Sequence, residues 1–209
     1  IKYITNDKSD AYDDGGMIYQ GAKVKPLTYG QKDAYEYHIL LVGGSHSSHW
    51  LGALQQIAEK EKIKITHLCK ANARFTMGEQ DALSQKWMEN TKDYIKKHKD
   101  DYDLVFTTAD VGNDEETDVP QGFIDAFRYL ESLDLPIFAV RDTPRLDVNA
   151  IEAYEKNKNV TIDVSKQLPD KNFQPMEDTG AKIYDYNNFI VPNHTFKPVR
   201  GNVFVFFDS

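Results

Sequence analysis

The chain is poor in cysteine, in long apolar runs and in net positive charge, and each absence removes a class of protein. Cys69 is alone, so no internal disulfide can form and no multi-cysteine metal centre can be assembled. A lone thiol suits the cytoplasm and a Gram-positive exterior equally. No apolar stretch approaches the roughly 20 residues that cross a bilayer. The N-terminus, Ile1-Lys2-Tyr3, carries no signal-peptide pattern and no initiator methionine, so the sequence reads as an excised piece or a mature product. Lys and Arg number 25 against 33 Asp and Glu, a net charge of −8, the wrong sign for a general nucleic-acid binder. Neither a GxxxxGK[ST] loop nor a GxGxxG fingerprint is present. The acidic loop from Asp110 to Asp118 lacks the ligand order and glycine of an EF-hand. It reads as solvated, and no metal or cofactor is expected.

What is present is an alternation of strand-like and helix-like segments, enough for one α/β domain in 209 residues. Residues 1–35 are polar, with a turn signal at Asp13-Asp14-Gly15-Gly16, and read as an extended lead-in packed on a domain spanning 36–209. Strands are expected over 37–42, 62–68, 104–106 and 136–140. Helices are expected where Trp50, Leu51, Leu54, Ile57 and Ala58 share one face, over 80–97 and around Phe123 to Leu130, where apolar residues recur at helical spacing. Strands separated by helices imply a parallel sheet covered on both faces, with ligands bound beyond the strands' carboxyl ends. Ser45, the Asp110 loop and Arg141-Asp142 all fall at such ends. In the tail, Phe189-Ile190-Val191 and Val203-Phe204-Val205-Phe206-Phe207 read as two strands that could pair.

The stretch Leu41-Val42-Gly43-Gly44-Ser45-His46 puts a serine on a glycine turn between a strand and a helix. From spacing alone, Ser45 reads first as a helix N-cap and second as a nucleophile whose oxyanion the helix's first amides would hold. His46 and His49 follow too closely to serve as its base and read as structural or substrate-contacting residues. Asn113, just past a strand, is a candidate second oxyanion donor. Arg141 or Arg145 could meet an anionic or sugar substrate, or simply form surface ion pairs. Asp208 is either a strand-end cap or the carboxylate of a triad. His194 is a fallback base.

With these residues in hand, the chain resembles the SGNH/GDSL hydrolase superfamily, and within it the extracytoplasmic SGNH domains fused behind membrane acyltransferase-three proteins. Gly43-Gly44-Ser45-His46 is similar to the family's Gly-Asp-Ser-His block, and Val140-Arg141-Asp142-Thr143-Pro144-Arg145 to its post-strand Thr-Pro-Arg segment. Phe206-Phe207-Asp208-Ser209 is similar to the start of its Asp-x-x-His-Leu block. Gly44 departs from the family's Asp, Gly112-Asn113-Asp114 is one residue tighter than Gly-x-Asn-Asp, and the second-block glycine has no match near residues 69–73. The family's histidine would fall two positions beyond Ser209, so the resemblance implies truncation at the C-terminal end.

The resemblance implies a flavodoxin-like three-layer sandwich around a mostly parallel sheet. It implies acyl transfer through Ser45 and Asp208, with an oxyanion hole from the Ser45 amide and Asn113. The acyl donor would come from a membrane acyltransferase domain and the acceptor would be a carbohydrate polymer, at the extracytoplasmic face of the membrane. A free-standing esterase and a degenerate, non-catalytic glycan-binding domain are the alternatives.

Overall fold

The computed structural model describes residues 9–112, 116–201 and 203–205. In chain order the strands are β1 (Met17–Ile18), β2 (Leu27–Gly30), β3 (Tyr37–Gly43), β4 (Ile63–Lys70), β5 (Leu104–Thr108), β6 (Ile137–Val140), β7 (Ile162–Asp163), β8 (Lys182–Tyr184), β9 (Thr195–Phe196), β10 (Val199–Arg200) and β11 (Val203–Phe204). The helices are α1 (Asp10–Asp13), α2 (Ser45–Ser48), α3 (Leu51–Glu61), α4 (Ala82–Lys97), α5 (Gln121–Glu131), α6 (Ala150–Lys156), α7 (Gln174–Glu177) and α8 (Asn187–Ile190).

Strand β3 is the centre of the fold. From His38 to Gly43 every residue is buried, as expected of a parallel strand with helices on both faces. Leu40 and Val42 point into the larger core beneath α4 and α5. Ile39 and Leu41 point into the opposite core beneath α3. The strands run β4-β3-β5-β6-β8, all parallel, which is the flavodoxin-like order with its switch point between β3 and β5. Helix α5 shows why the flanking layer adheres: Phe123, Ile124, Phe127 and Leu130 form one apolar stripe and are all buried. Helix α4 starts cleanly because Asp81 accepts hydrogen bonds from Leu83 N and Ser84 N, both at 3.0 Å, a cap worth about 1 kcal/mol.

Two segments differ from the sequence-based expectation. The lead-in joins the sheet: β1 lies parallel to the far end of β4 and β2 antiparallel to its first half. Such short pairings leave no periodicity to read. In the tail, Phe189-Ile190-Val191 is not a strand. Asn187–Ile190 is a helical turn, and Phe189 is exposed. A hairpin does form, but between β10 and β11.

Candidate active site

The carboxyl ends of β3, β4, β5 and β6 open onto a cleft of about 260 Å³, lined by Ser45, His46, Asn72, Arg74, Thr108, Asp110, Asp142 and Arg145 among others. Ser45 is the first residue of α2, with Gly44 as the N-cap in extended conformation. It follows the most buried strand of the sheet directly, so its position is held by the core. The amides of a helix's first turn have no intrahelical partner and point toward whatever sits at that end. Gly44 is tightly packed: a Cβ there would lie 2.1 Å from the Ala73 carbonyl oxygen. The loop after β4 therefore presses on the serine turn and leaves no room for the aspartate of the resembling block.

His46 is the residue the structure recasts. Its Nδ1 lies 2.6 Å from Asp142 Oδ1; the His46 side chain is 11% exposed and that of Asp142 is buried, 6% exposed. The same carboxylate accepts from the Thr143 amide at 2.8 Å and, through Oδ2, from the Gly112 amide at 3.0 Å. The Asp142 amide in turn donates to Asp110 Oδ1 at 2.7 Å. Burial pushes the Asp110 carboxyl up to about 6; the Asp142 charge adds to this, while the Asp142 amide, Lys171 and Arg141 pull the other way. Lys171 Nζ lies 3.6 Å and Arg141 Nε 3.9 Å from Asp110 Oδ2, so the carboxylate beneath the cleft is enclosed by cations.

The other candidates separate. His49 is exposed and its ring stacks on His46 at 5.1 Å between centroids. Arg141 does not line the cleft. Its guanidinium is buried, donating to Asp185 Oδ2 at 2.9 Å and to the Pro169 carbonyl, so it anchors the β6 end to the β8 end. Arg145, the alternative at this loop, is exposed and lines the cleft. His194 follows Asn193 in a short turn with positive φ at both residues, and its carbonyl accepts from the Val164 amide. Asn113 and Asp208 lie outside the described residues. Sequence reasoning missed the pairing of His46 with Asp142 and the burial of Asp110. The available signal was that both acids directly follow apolar strands.

A buried histidine, His67, sits behind the cleft. His67 Nε2 and Ser48 Oγ are 2.9 Å apart, while Nδ1 has no partner. Burial lowers this imidazole to about 4. Because Ser48 and His67 are both fully buried, this serine–histidine pair belongs to the core and not to the cleft.

The comparisons with known proteins place this architecture. A family model described as "SGNH domain (fused to AT3 domains)" matches residues 9–209. The chain belongs to this family. The matched range includes the two strands of the lead-in. The periplasmic domain of the lipopolysaccharide acetyltransferase of Salmonella ser. Paratyphi A shares the fold, with a TM-score of 0.55 at 14% identity over 76% of this chain and 69% of that one. No curated protein sequence matches. No helix among the described residues is long and apolar enough to cross a membrane.

Proposed function

We propose that this SGNH domain is an O-acyltransferase that moves an acetyl group onto a hydroxyl of a cell-surface polysaccharide through a Ser45 acyl-enzyme. The observation that carries the reading is the place of Ser45: first turn of α2, end of the central strand, on the wall of the cleft. In this mechanism Ser45 Oγ attacks the acetyl carbonyl while an imidazole takes its proton. The tetrahedral oxyanion forms against the first-turn amide of α2 and the Asn113 side chain, and its collapse expels the donor, which takes up that proton. The acceptor hydroxyl then attacks the acyl-enzyme, and Ser45 is regenerated. Asp208 orients the base, as in the general triad.

The donor reaches the cleft from a membrane acyltransferase-three domain, which the family's fusion supports. The same fusion and the periplasmic origin of the structural neighbour support an extracytoplasmic location as a domain of a membrane protein. The polar cleft, with Asn72, Arg74 and Arg145 on its walls, suits a sugar polymer better than an apolar acyl chain. His46 and His49 flank the acceptor's path.

The test is Ser45→Ala in the full-length protein. Loss of acetyl transfer to the polysaccharide and of labelling by a fluorophosphonate is expected; retained turnover would sink the nucleophile assignment. Acetate release without acetylated glycan would make the domain an esterase. Glycan binding without labelling of the native protein would make it a degenerate binding domain.

A further inference from the structure

We infer that Asp142 is a positioning residue that locks the nucleophile turn to the loop after β5, with His46 as the arm of the clamp. The inference rests on the reading of Ser45 as nucleophile, but the clamp is a separate piece of chemistry. One carboxylate on the loop after β6 ties together the ends of three strands. From the β3 end comes the His46 imidazole, next in sequence to Ser45; from the β5 end comes the Gly112 amide, next to Asn113; from the β6 end comes the Thr143 amide. The backbone of Asp142 adds two more ties. Its amide donates to Asp110 at 2.7 Å, and its carbonyl accepts from Asn187 Nδ2 at 3.0 Å.

The chemistry of the side chain explains why a carboxylate is needed. His46 Nδ1–H, Gly112 N–H and Thr143 N–H are all donors, and an ionised carboxylate is acceptor-only, with two oxygens to receive them. An asparagine of the same shape has one oxygen and one NH₂ group. With its oxygen toward His46 and Thr143, the NH₂ faces the Gly112 amide, donor to donor; flipped, it faces His46. One tie must break whichever way the amide turns. The β5 and β6 loops have little slack to absorb the change, because a Cβ at Gly112 would lie only 1.8 Å from the Thr143 carbonyl oxygen. The clamp also fixes the imidazole's tautomer. Nδ1 carries the proton toward Asp142, and His46 is held in one orientation on the wall beside Ser45.

The test compares Asp142→Asn with Asn187→Ala, which removes another tie to the same loop while leaving the carboxylate intact. For Asp142→Asn, kcat on a small acetyl ester should fall about tenfold to a hundredfold, the range that loosened placement of reacting groups produces. KM should stay within twofold, and in Asp142→Ala, which leaves Nδ1 no acceptor at this position, the imidazole nitrogen resonances of His46 should lose the Nδ1-protonated signature. His46→Gln combined with Asp142→Ala should cost no more than Asp142→Ala alone, because Asp142→Ala already removes the tie that His46→Gln breaks. An equal kcat loss in Asn187→Ala at matched thermal stability would overturn the inference, as would an unchanged His46 tautomer in Asp142→Ala. If Ser45→Ala keeps its turnover, the nucleophile reading falls while the tautomer measurement still decides the clamp.

Discussion

Gly44→Ala is the smallest change that tests how the serine turn is built. The new methyl carbon would lie 2.1 Å from the Ala73 carbonyl oxygen, where ordinary contact needs about 3.4 Å. The gap must open by about 1.3 Å, and the obstacle is backbone, so no side chain can swing away. On one side stands β4, paired along its length with β3; on the other stands Ser45, the proposed nucleophile. Overpacking of this kind costs about 1–3 kcal/mol. If Ser45 absorbs even 1 Å of the shift, the rate falls about a hundredfold. The assay is the rate of fluorophosphonate labelling alongside the thermal midpoint. Gly44→Ala should lose labelling rate out of proportion to stability, and Gly44→Asp, which restores the family's residue, should be worse. Wild-type labelling and an unchanged midpoint in Gly44→Ala would refute the reasoning, because the β4 loop would then have room to retreat.

Other expectations concern charge. His67 is neutral in the folded protein, its pKa lowered from 6.5 to about 4 by burial. It supplies stability that is present above pH 6.5 and lost as pH falls toward 4, about 3 kcal/mol across that window. Asp110 acts in the opposite sense. Its raised pKa, about 6, gives stability below about pH 4 that is lost as pH rises through 6. His67→Leu should therefore change stability relative to the native protein by a pH-dependent amount, gaining on it progressively between pH 6.5 and 4 in urea titrations; a constant offset would contradict the assignment. Arg145→Ala should raise KM for the polysaccharide acceptor several-fold and leave hydrolysis of a small neutral ester within twofold. An equal loss on both substrates would place Arg145 in the chemistry and not in acceptor binding.

The layered core was legible because burial imposes a pattern on sequence. Six residues of β3 are buried without interruption, and α5 buries a stripe at helical spacing, so strand and helix could be told apart. Residues 17–18 and 27–30 pair with β4 over too few positions to show a period. Phe189-Ile190-Val191 has β-type composition, yet Tyr186 and Asn187 supply the carbonyls for a helical turn instead. At the site, the place of Ser45 at the carboxyl edge of the sheet was legible because its turn chemistry is local. The role of Asp142 could not, because it depends on atoms 96 and 30 residues away, at His46 and Gly112.

That contrast bears on how a serine site can vary in this fold. The turn that carries Ser45 is specified locally, by Gly43-Gly44 and the strand before it. Its alignment with the rest of the cleft is specified by carboxylates that other strands deliver. Gly44 leaves the turn without the family's acid, and the nearest carboxylate acting on its neighbour is that of Asp142, from the far side of the switch point. Asp142 and Asp110 are both nearly buried, and each faces donors: His46 and two amides for the first, Lys171, Arg141 and an amide for the second. Removing one partner from such a pair leaves a buried charge uncompensated, which costs far more than the pair itself contributes. The cleft should therefore tolerate changes at its exposed walls, Asn72, Arg74 and Arg145, while rejecting changes in the carboxylates beneath. Under the proposed function, acceptor preference can then shift at the walls without disturbing the placement of Ser45.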